Sequence, residues 1–207
     1  TYPCAPPALP AQAAEFDGSL ILTGQGVQHQ KPAGDASMEF NLLAGSASLS
    51  GRFSGVYKEN SQAGRMELEL TDSLLDFRSP YADISVGDIS PQFSDYTLSS
   101  PSNENGAELN LRAAGFSFRP VYLLLTKADE AISQYERKLY GASVLKDDLP
   151  GGFSLGVGAY RATDDKGSLA ASTAPLKTPA EISTLGVKAE FKAAEVFSMF
   201  SEFAYSG

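Results

Sequence analysis

His29 is the single histidine of this chain and Cys4 its single cysteine. One cysteine cannot close an intramolecular disulfide, and one histidine cannot build the usual multi-histidine metal cluster. Disulfide scaffolds and zinc sites are thereby excluded, and Cys4 is left as a free thiol. His29 lies between Gln28 and Gln30 in a segment flanked by glycine and proline. No carboxylate stands at a spacing that would orient it as a general base, so it reads as a solvated loop residue. Gly152-Phe153-Ser154-Leu155-Gly156 matches G-x-S-x-G. A nucleophile elbow, however, needs a strand-to-helix turn and a histidine later in the chain, whereas His29 precedes it and no helical pattern follows. The segment reads as a strand with glycine on its polar face.

The remaining candidate chemistry belongs to carboxylates. Asp164 with Asp165, Asp147 with Asp148, and Asp88 with Asp95 are expected in turns, where oxygen-rich loops bind Ca²⁺; Asp164 and Asp165 are the metal candidates. Aspartate is also a favoured turn residue, and no D-x-D-x-D-G spacing is present. A glycosidase pair requires two carboxyls about 5 to 10 Å apart across a cleft, a distance that no spacing here specifies. No catalytic residue and no cofactor are assigned.

These residues must be positioned by a chain of 207 residues with 16 Lys and Arg against 25 Asp and Glu, a net charge of -9. That balance, without a basic stripe, argues against nucleic acid as a partner. The 43% apolar content excludes a disordered chain. The longest unbroken aliphatic clusters are short, such as Val121 to Leu125, far from the roughly 20 residues of a transmembrane helix. A membrane β-barrel remains open, because its alternating strands never give a strong hydropathy peak. Thr1 to Glu15 carries Pro3, Pro6, Pro7 and Pro10, then Ala11-Gln12-Ala13-Ala14, and reads as a Pro/Ala-rich arm or the remnant of an export signal. Residues 16–207 are expected to form one antiparallel β domain.

From Phe16 onward the period is two. Ala47, Leu49, Gly51, Phe53, Gly55 and Tyr57 oppose Ser46, Ser48, Ser50, Arg52 and Ser54; Met66, Leu68 and Leu70 oppose Glu67 and Glu69 beyond a hairpin loop at Lys58 to Ala63. Ala107, Leu109 and Leu111 oppose Glu108, Asn110 and Arg112, with Gly115 as a tight turn before Phe116 to Thr126. Phe153, Leu155 and Val157 oppose Ser154, Gly156 and Gly158; Leu185, Val187 and Ala189 oppose Gly186, Lys188 and Glu190; Phe197 to Ser206 repeats the theme. Asp147 to Gly152 and Thr163 to Thr178 are read as turns or loops, and Lys127 onward as a loop entering a strand from Gln134 to Lys146. The count is about ten to twelve strands in an antiparallel, all-β meander.

Alternation fits two architectures. A soluble sandwich turns its apolar face inward; an outer-membrane barrel turns it outward to lipid. Strand lengths near ten residues, charges mixed with Ser and Gly on one face, and aromatics at Tyr57, Phe77, Tyr81, Phe116, Tyr160, Phe203 and Tyr205 taken as strand ends favour the barrel. On that reading Arg52, Glu67, Glu69, Glu108, Arg112, Lys188 and Glu190 line a hydrated lumen. The rival is an exported soluble sandwich, periplasmic or on the cell surface. It would bind a glycan or protein at loop aromatics such as Tyr81, Phe93 and Tyr96.

The run Gly87-Asp88-Ile89-Ser90-Pro91-Gln92-Phe93-Ser94-Asp95-Tyr96-Thr97-Leu98, then Gly106-Ala107-Glu108-Leu109, Tyr135-Glu136-Arg137, Tyr140-Gly141-Ala142-Ser143-Val144 and Leu155-Gly156-Val157-Gly158, resembles large outer-membrane β-barrel proteins of Gram-negative bacteria over about residues 84–207. The resemblance implies a barrel wall related to porins, export channels and secretion translocons, in contact with outer-membrane lipid and with proteins of a transport or secretion assembly. Such chains commonly finish on an aromatic residue, whereas this one stops at Ser206-Gly207. The expectation is therefore a transmembrane β-barrel or the N-terminal part of one, acting as a pore, transport component or secretion-associated scaffold.

Overall fold

A computed structural model describes residues 14–25, 33–60, 65–94, 98–99, 104–169, 178–193 and 197–207. His29, Cys4, Asp95, Tyr96 and nearly all of the N-terminal arm lie outside them. The described residues form an antiparallel all-β meander, as the alternation predicts. One sheet holds eleven strands in chain order: β1 (Glu15–Gln25), β2 (Ala33–Ala44), β3 (Ala47–Asn60), β4 (Arg65–Arg78), β5 (Ala82–Ile89), β8 (Glu104–Ala113), β9 (Phe116–Thr126), β10 (Glu136–Leu149), β11 (Phe153–Asp165), β12 (Glu181–Ala193) and β13 (Phe197–Ser206). Between β5 and β8 the chain makes a separate two-stranded hairpin, β6 (Gln92–Ser94) and β7 (Leu98–Ser99), which the sequence pattern does not reveal.

The two edges of the sheet differ. Along one, β2–β3, β4–β5, β8–β9, β10–β11 and β12–β13 are joined by two or three residues; along the other, the connections run from four to fifteen. The β8–β9 turn is built on Ala114 and Gly115, both at positive φ (51° and 73°), the backbone that matches the right-handed twist of a tight hairpin. At the long-loop edge β5 parts from β4 at Gly87, whose φ is 115° and where a Cβ would lie 2.0 Å from the carbonyl oxygen of Ser73. Asp88 then takes over the pairing role, its carboxylate accepting from the Ser73 backbone N–H.

Cross-strand register sorts the side chains onto two faces, since paired residues project to the same side. One face is predominantly apolar: Phe16, Leu20, Met38, Phe53, Leu75, Ile84, Leu111, Phe118, Tyr122, Val144, Leu155, Val157, Leu185, Val187 and Phe203 share it. These side chains are not a core. Leu155 is 46% exposed, Val144 42% and Leu185 47%. The buried apolar cluster lies on the opposite, polar face, where Phe93 and Leu98 of the β6–β7 hairpin meet Ile89, Val121, Leu123 and Tyr160, with Leu74, Leu125 and Leu139 packed against it.

Several expectations are corrected. Asp88 lies in β5, Asp147 and Asp148 at the end of β10, and Asp164 and Asp165 at the end of β11, because the strands run farther than the turn residues suggest. The strand expected at Gln134 begins at Glu136, and the loop before it is closed by a bridge between Asp129 and Gln134. Tyr160 stands in mid-strand on the polar face and is buried; it belongs to the inner cluster and not to a strand-end aromatic row. Phe93 is likewise buried and is no loop contact surface. The sheet is open: among the described residues β1 and β13 are not paired, and each begins at the short-turn edge, so the two run in the same direction.

Candidate functional site

The polar face holds every residue the sequence pattern assigns to a lumen. Arg52 on β3, Glu67 and Glu69 on β4, Glu108 and Arg112 on β8, and Lys188 and Glu190 on β12 all occupy that one face by register. They do not form one cluster. Arg52 is paired with Asp72 at 2.9 Å. Glu108 belongs to a group on β4, β5, β8 and β9, and Lys188 reaches under the hairpin.

Arg112 is committed to structure. Its guanidinium makes a two-pronged pair with Asp83, one arm at 2.7 Å, and donates to the carbonyl oxygens of Ser79 and Pro80. It therefore staples the β4–β5 turn to β8. Nearby, Arg78 pairs with Asp76 at 2.7 Å, and Ser85 donates to the same Asp76 carboxylate. These bonds fix the register where β5 is short, and they neutralise most of the charge around Glu108.

The hairpin β6–β7 sits on a floor made for it. Gly156, Gly158 and Gly186 stand side by side on the polar face of β11 and β12. A Cβ at Gly158 would lie 3.0 Å from the Phe93 ring and 2.8 Å from Tyr160; one at Gly156 would press on Lys188 at 3.0 Å. Removing side chains here opens a trough, and the Phe93 ring occupies it, tilted against Tyr160 at 6.1 Å between centroids. Lys188 extends along the trough, its Nζ 4.8 Å from the centre of the Phe93 ring and 3.1 Å from the Phe93 carbonyl oxygen, to which it donates. The sequence offered a signal for this contact, a concentration of glycine on one strand face where no turn demands it.

At the long-loop edge the apolar face ends in charge. Arg161 pairs with Glu181 at 2.6 Å, and Lys138 bridges Glu136 at 2.7 Å and Asp165 at 3.0 Å. The Lys138 ammonium, with help from the Gly167 N–H, holds the Asp165 carboxyl below its ordinary range, while Glu136 and Asp165 push Lys138 up. Asp164 accepts from Arg137 at 2.7 Å and from the Ala180 N–H at 2.8 Å. The two aspartates singled out for Ca²⁺ thus each face a cation, and among the described residues no group of three or more His, Cys, Asp or Glu is placed to hold a metal.

Between these edges the apolar face carries no charge on β9, where Phe116, Phe118, Pro120, Tyr122 and Leu124 follow one another. Eight residue steps at about 3.3 Å make about 26 Å of strand. Phenylalanines Phe16, Phe77, Phe116, Phe153 and Phe191 stand toward the short-turn edge, and Tyr57, Tyr122, Tyr140 and Tyr205 toward the loop edge. Lys146, on the apolar face at the short-turn edge, stacks 4.4 Å above Phe116 and donates to the Ala114 carbonyl at 2.6 Å.

No family model matches this sequence, and no curated protein matches it. Among solved structures, the crystal structure of Pseudomonas aeruginosa OccK2 (OpdF) in complex with glucuronate is similar, with a TM-score of 0.37 and 12% sequence identity. The likeness covers 93% of this chain and 63% of that one, so this chain spans under two thirds of the matched structure's length.

Proposed function

We propose that this chain forms wall of a non-enzymatic β-barrel pore in a bacterial outer membrane, with the polar face toward a hydrated lumen and the apolar face toward lipid. One observation carries the reading: large apolar side chains are exposed on one face of ten of the eleven strands, while the buried cluster lies on the other face. Full exposure to water would cost about 1.5–3 kcal/mol per side chain, and these partly exposed ones bear a share of that cost, which a hydrocarbon environment removes. The dimensions agree. About 26 Å of strand, tilted by about 40°, gives a band about 20 Å tall, near the 25 Å band of outer-membrane barrels. Aromatic rows toward both edges, short turns along one edge and longer loops along the other are the same architecture's pattern.

In this reading Arg52, Glu67, Glu69, Glu108, Lys188 and Glu190 bias the ions that pass, and the β6–β7 hairpin narrows the passage. A barrel leaves no backbone edge in lipid. Direct pairing of β1 with β13 would make a parallel seam, whereas an odd number of further strands would make an antiparallel one. The rival sandwich needs a second layer over the apolar face, and its loop aromatic Phe93 is buried.

The test is reconstitution. The chain should require detergent for extraction, migrate differently on a gel before and after boiling, and give stepwise conductance in planar bilayers. A monodisperse protein in detergent-free buffer at high concentration would overturn the proposal.

A further inference from the structure

On the polar face, Arg78, Asp83, Ser85, Glu108, Asn110 and Arg119 surround a cavity of about 220 Å³. The volume lies below the roughly 300–1,000 Å³ of sites for drug-sized molecules, which limits an occupant to a small solute. Four adjacent strands supply the lining: β4, β5, β8 and β9. Most of its charge is already spent. Arg78 is bound to Asp76 and Asp83 to Arg112, each pair within 3 Å.

Two charges of opposite sign remain. Among the described residues, Glu108 has no hydrogen-bond or ion-pair partner in the lining, although the Arg119 charge reaches it. The Arg119 Nε is buried without a partner. Asn110 is 9% exposed; its amide nitrogen donates to Asp83 at 3.4 Å, and its Oδ1 has no donor. A buried acceptor left without a donor is destabilising, and a ligand N–H can satisfy it. A lone anion here would meet the Glu108 carboxylate, and a lone cation the Arg119 guanidinium.

We propose that this cavity binds a small zwitterion of the amino-acid class, its ammonium between Glu108 and the Asn110 Oδ1 and its carboxylate on Arg119. The proposal rests on the pore reading only for its biological setting; the site itself needs nothing but the folded sheet.

The experiment is equilibrium titration of the folded chain in detergent micelles with glycine, and separately with acetate and with methylammonium. Saturable glycine binding is expected, with each single-charge probe weaker by about tenfold or more, because each leaves one charged group unmatched. Glu108→Gln and Arg119→Met should each weaken glycine binding about tenfold, whereas Arg119→Lys, which keeps the charge and loses the planar fork, should retain most of it. Acetate or methylammonium binding as tightly as glycine overturns the proposal in favour of a plain ion site. Absence of saturable glycine binding overturns it outright. Should a variant fail to fold, as read by heat-dependent gel migration, the three probes on the unaltered chain decide alone. Bilayer conductance is recorded in parallel: glycine binding without conductance removes the pore and leaves the site, and conductance without glycine binding does the reverse.

Discussion

Lys188 Nζ donates to the carbonyl oxygen of Phe93 at 3.1 Å, joining residues 95 apart in sequence across the polar face of the sheet. The hydrogen bond draws on a charged donor, worth about 1.5–3 kcal/mol when shielded from water, and the same ammonium lies over the Phe93 ring. Together with the Phe93–Tyr160 contact it fixes the β6–β7 hairpin to the sheet. A segment that leaves the sheet after Ile89 is thereby folded over the strands that follow it.

Gly158→Val is expected to lift the hairpin. The added Cβ alone would lie 3.0 Å from the Phe93 ring with the Tyr160 ring at 2.8 Å, and the two further methyls have no room. Conductance per channel should rise, and Phe93→Ala, which empties the trough without a clash, should raise it too. Unchanged conductance in both variants would show that the hairpin does not stand in the passage.

The strands were legible because alternation is local, and Leu155, Val157, Leu185 and Val187 against Gly156, Gly158, Gly186 and Lys188 states both the conformation and the face. The hairpin was not legible: Phe93 and Tyr160 meet through tertiary packing, and β6 has only three residues. Its presence also obscured β9. Val121, Leu123 and Leu125 are apolar on the nominally polar face because they lie under the hairpin, so Phe116 to Thr126 loses its alternation and Arg119 escapes notice. Arg112 could be placed on the right face from sequence, but not its commitment to Asp83, which depends on a partner 29 residues away.

A charge in the middle of the apolar face should be costly. Val157→Arg and Val144→Arg are each expected to lower folding stability in lipid vesicles by about 2–4 kcal/mol, the range for arginine near the bilayer midplane on a barrel's lipid face. Ser154→Arg, on the opposite face of the same strand as Val157, should cost less than about 1 kcal/mol. Denaturant titration of vesicle-folded protein measures the difference. Equal costs on the two faces would remove the assignment of lipid to the apolar side.

Arg112 and Glu108 share a face and should behave differently when altered. Arg112 is held by Asp83 and two turn carbonyls, so Arg112→Ala frees the β4–β5 turn and lowers stability by about 1 kcal/mol, allowing for the partial exposure of both partners. Its effect on ion selectivity should be small, since it removes a charge that Asp83 already balances. Glu108→Arg removes an unpaired negative charge and adds a positive one, and the reversal potential in a salt gradient should move toward anions. A larger selectivity change from Arg112→Ala than from Glu108→Arg would reverse this division of roles.

At the loop edge, beyond the apolar band, the Asp165 carboxylate accepts from Lys138 and from the Gly167 N–H at 3.0 Å each. Both donors favour the ionised form, so its folded pKa lies below the ordinary 3.8. A depressed carboxyl pKa stabilises the folded state above the unfolded value, and that contribution is lost as pH falls through the folded one. The link between the end of β11 and the start of β10 should therefore hold at neutral pH and weaken only below about pH 4. Carboxyl carbon shifts followed by NMR in micelles should give Asp165 a midpoint below 3.8, and Lys138→Met should move that midpoint upward by removing the largest cause of the shift. A midpoint at or above 3.8 in the unaltered chain, or one that Lys138→Met leaves in place, would show that the ammonium does not hold this carboxylate in solution.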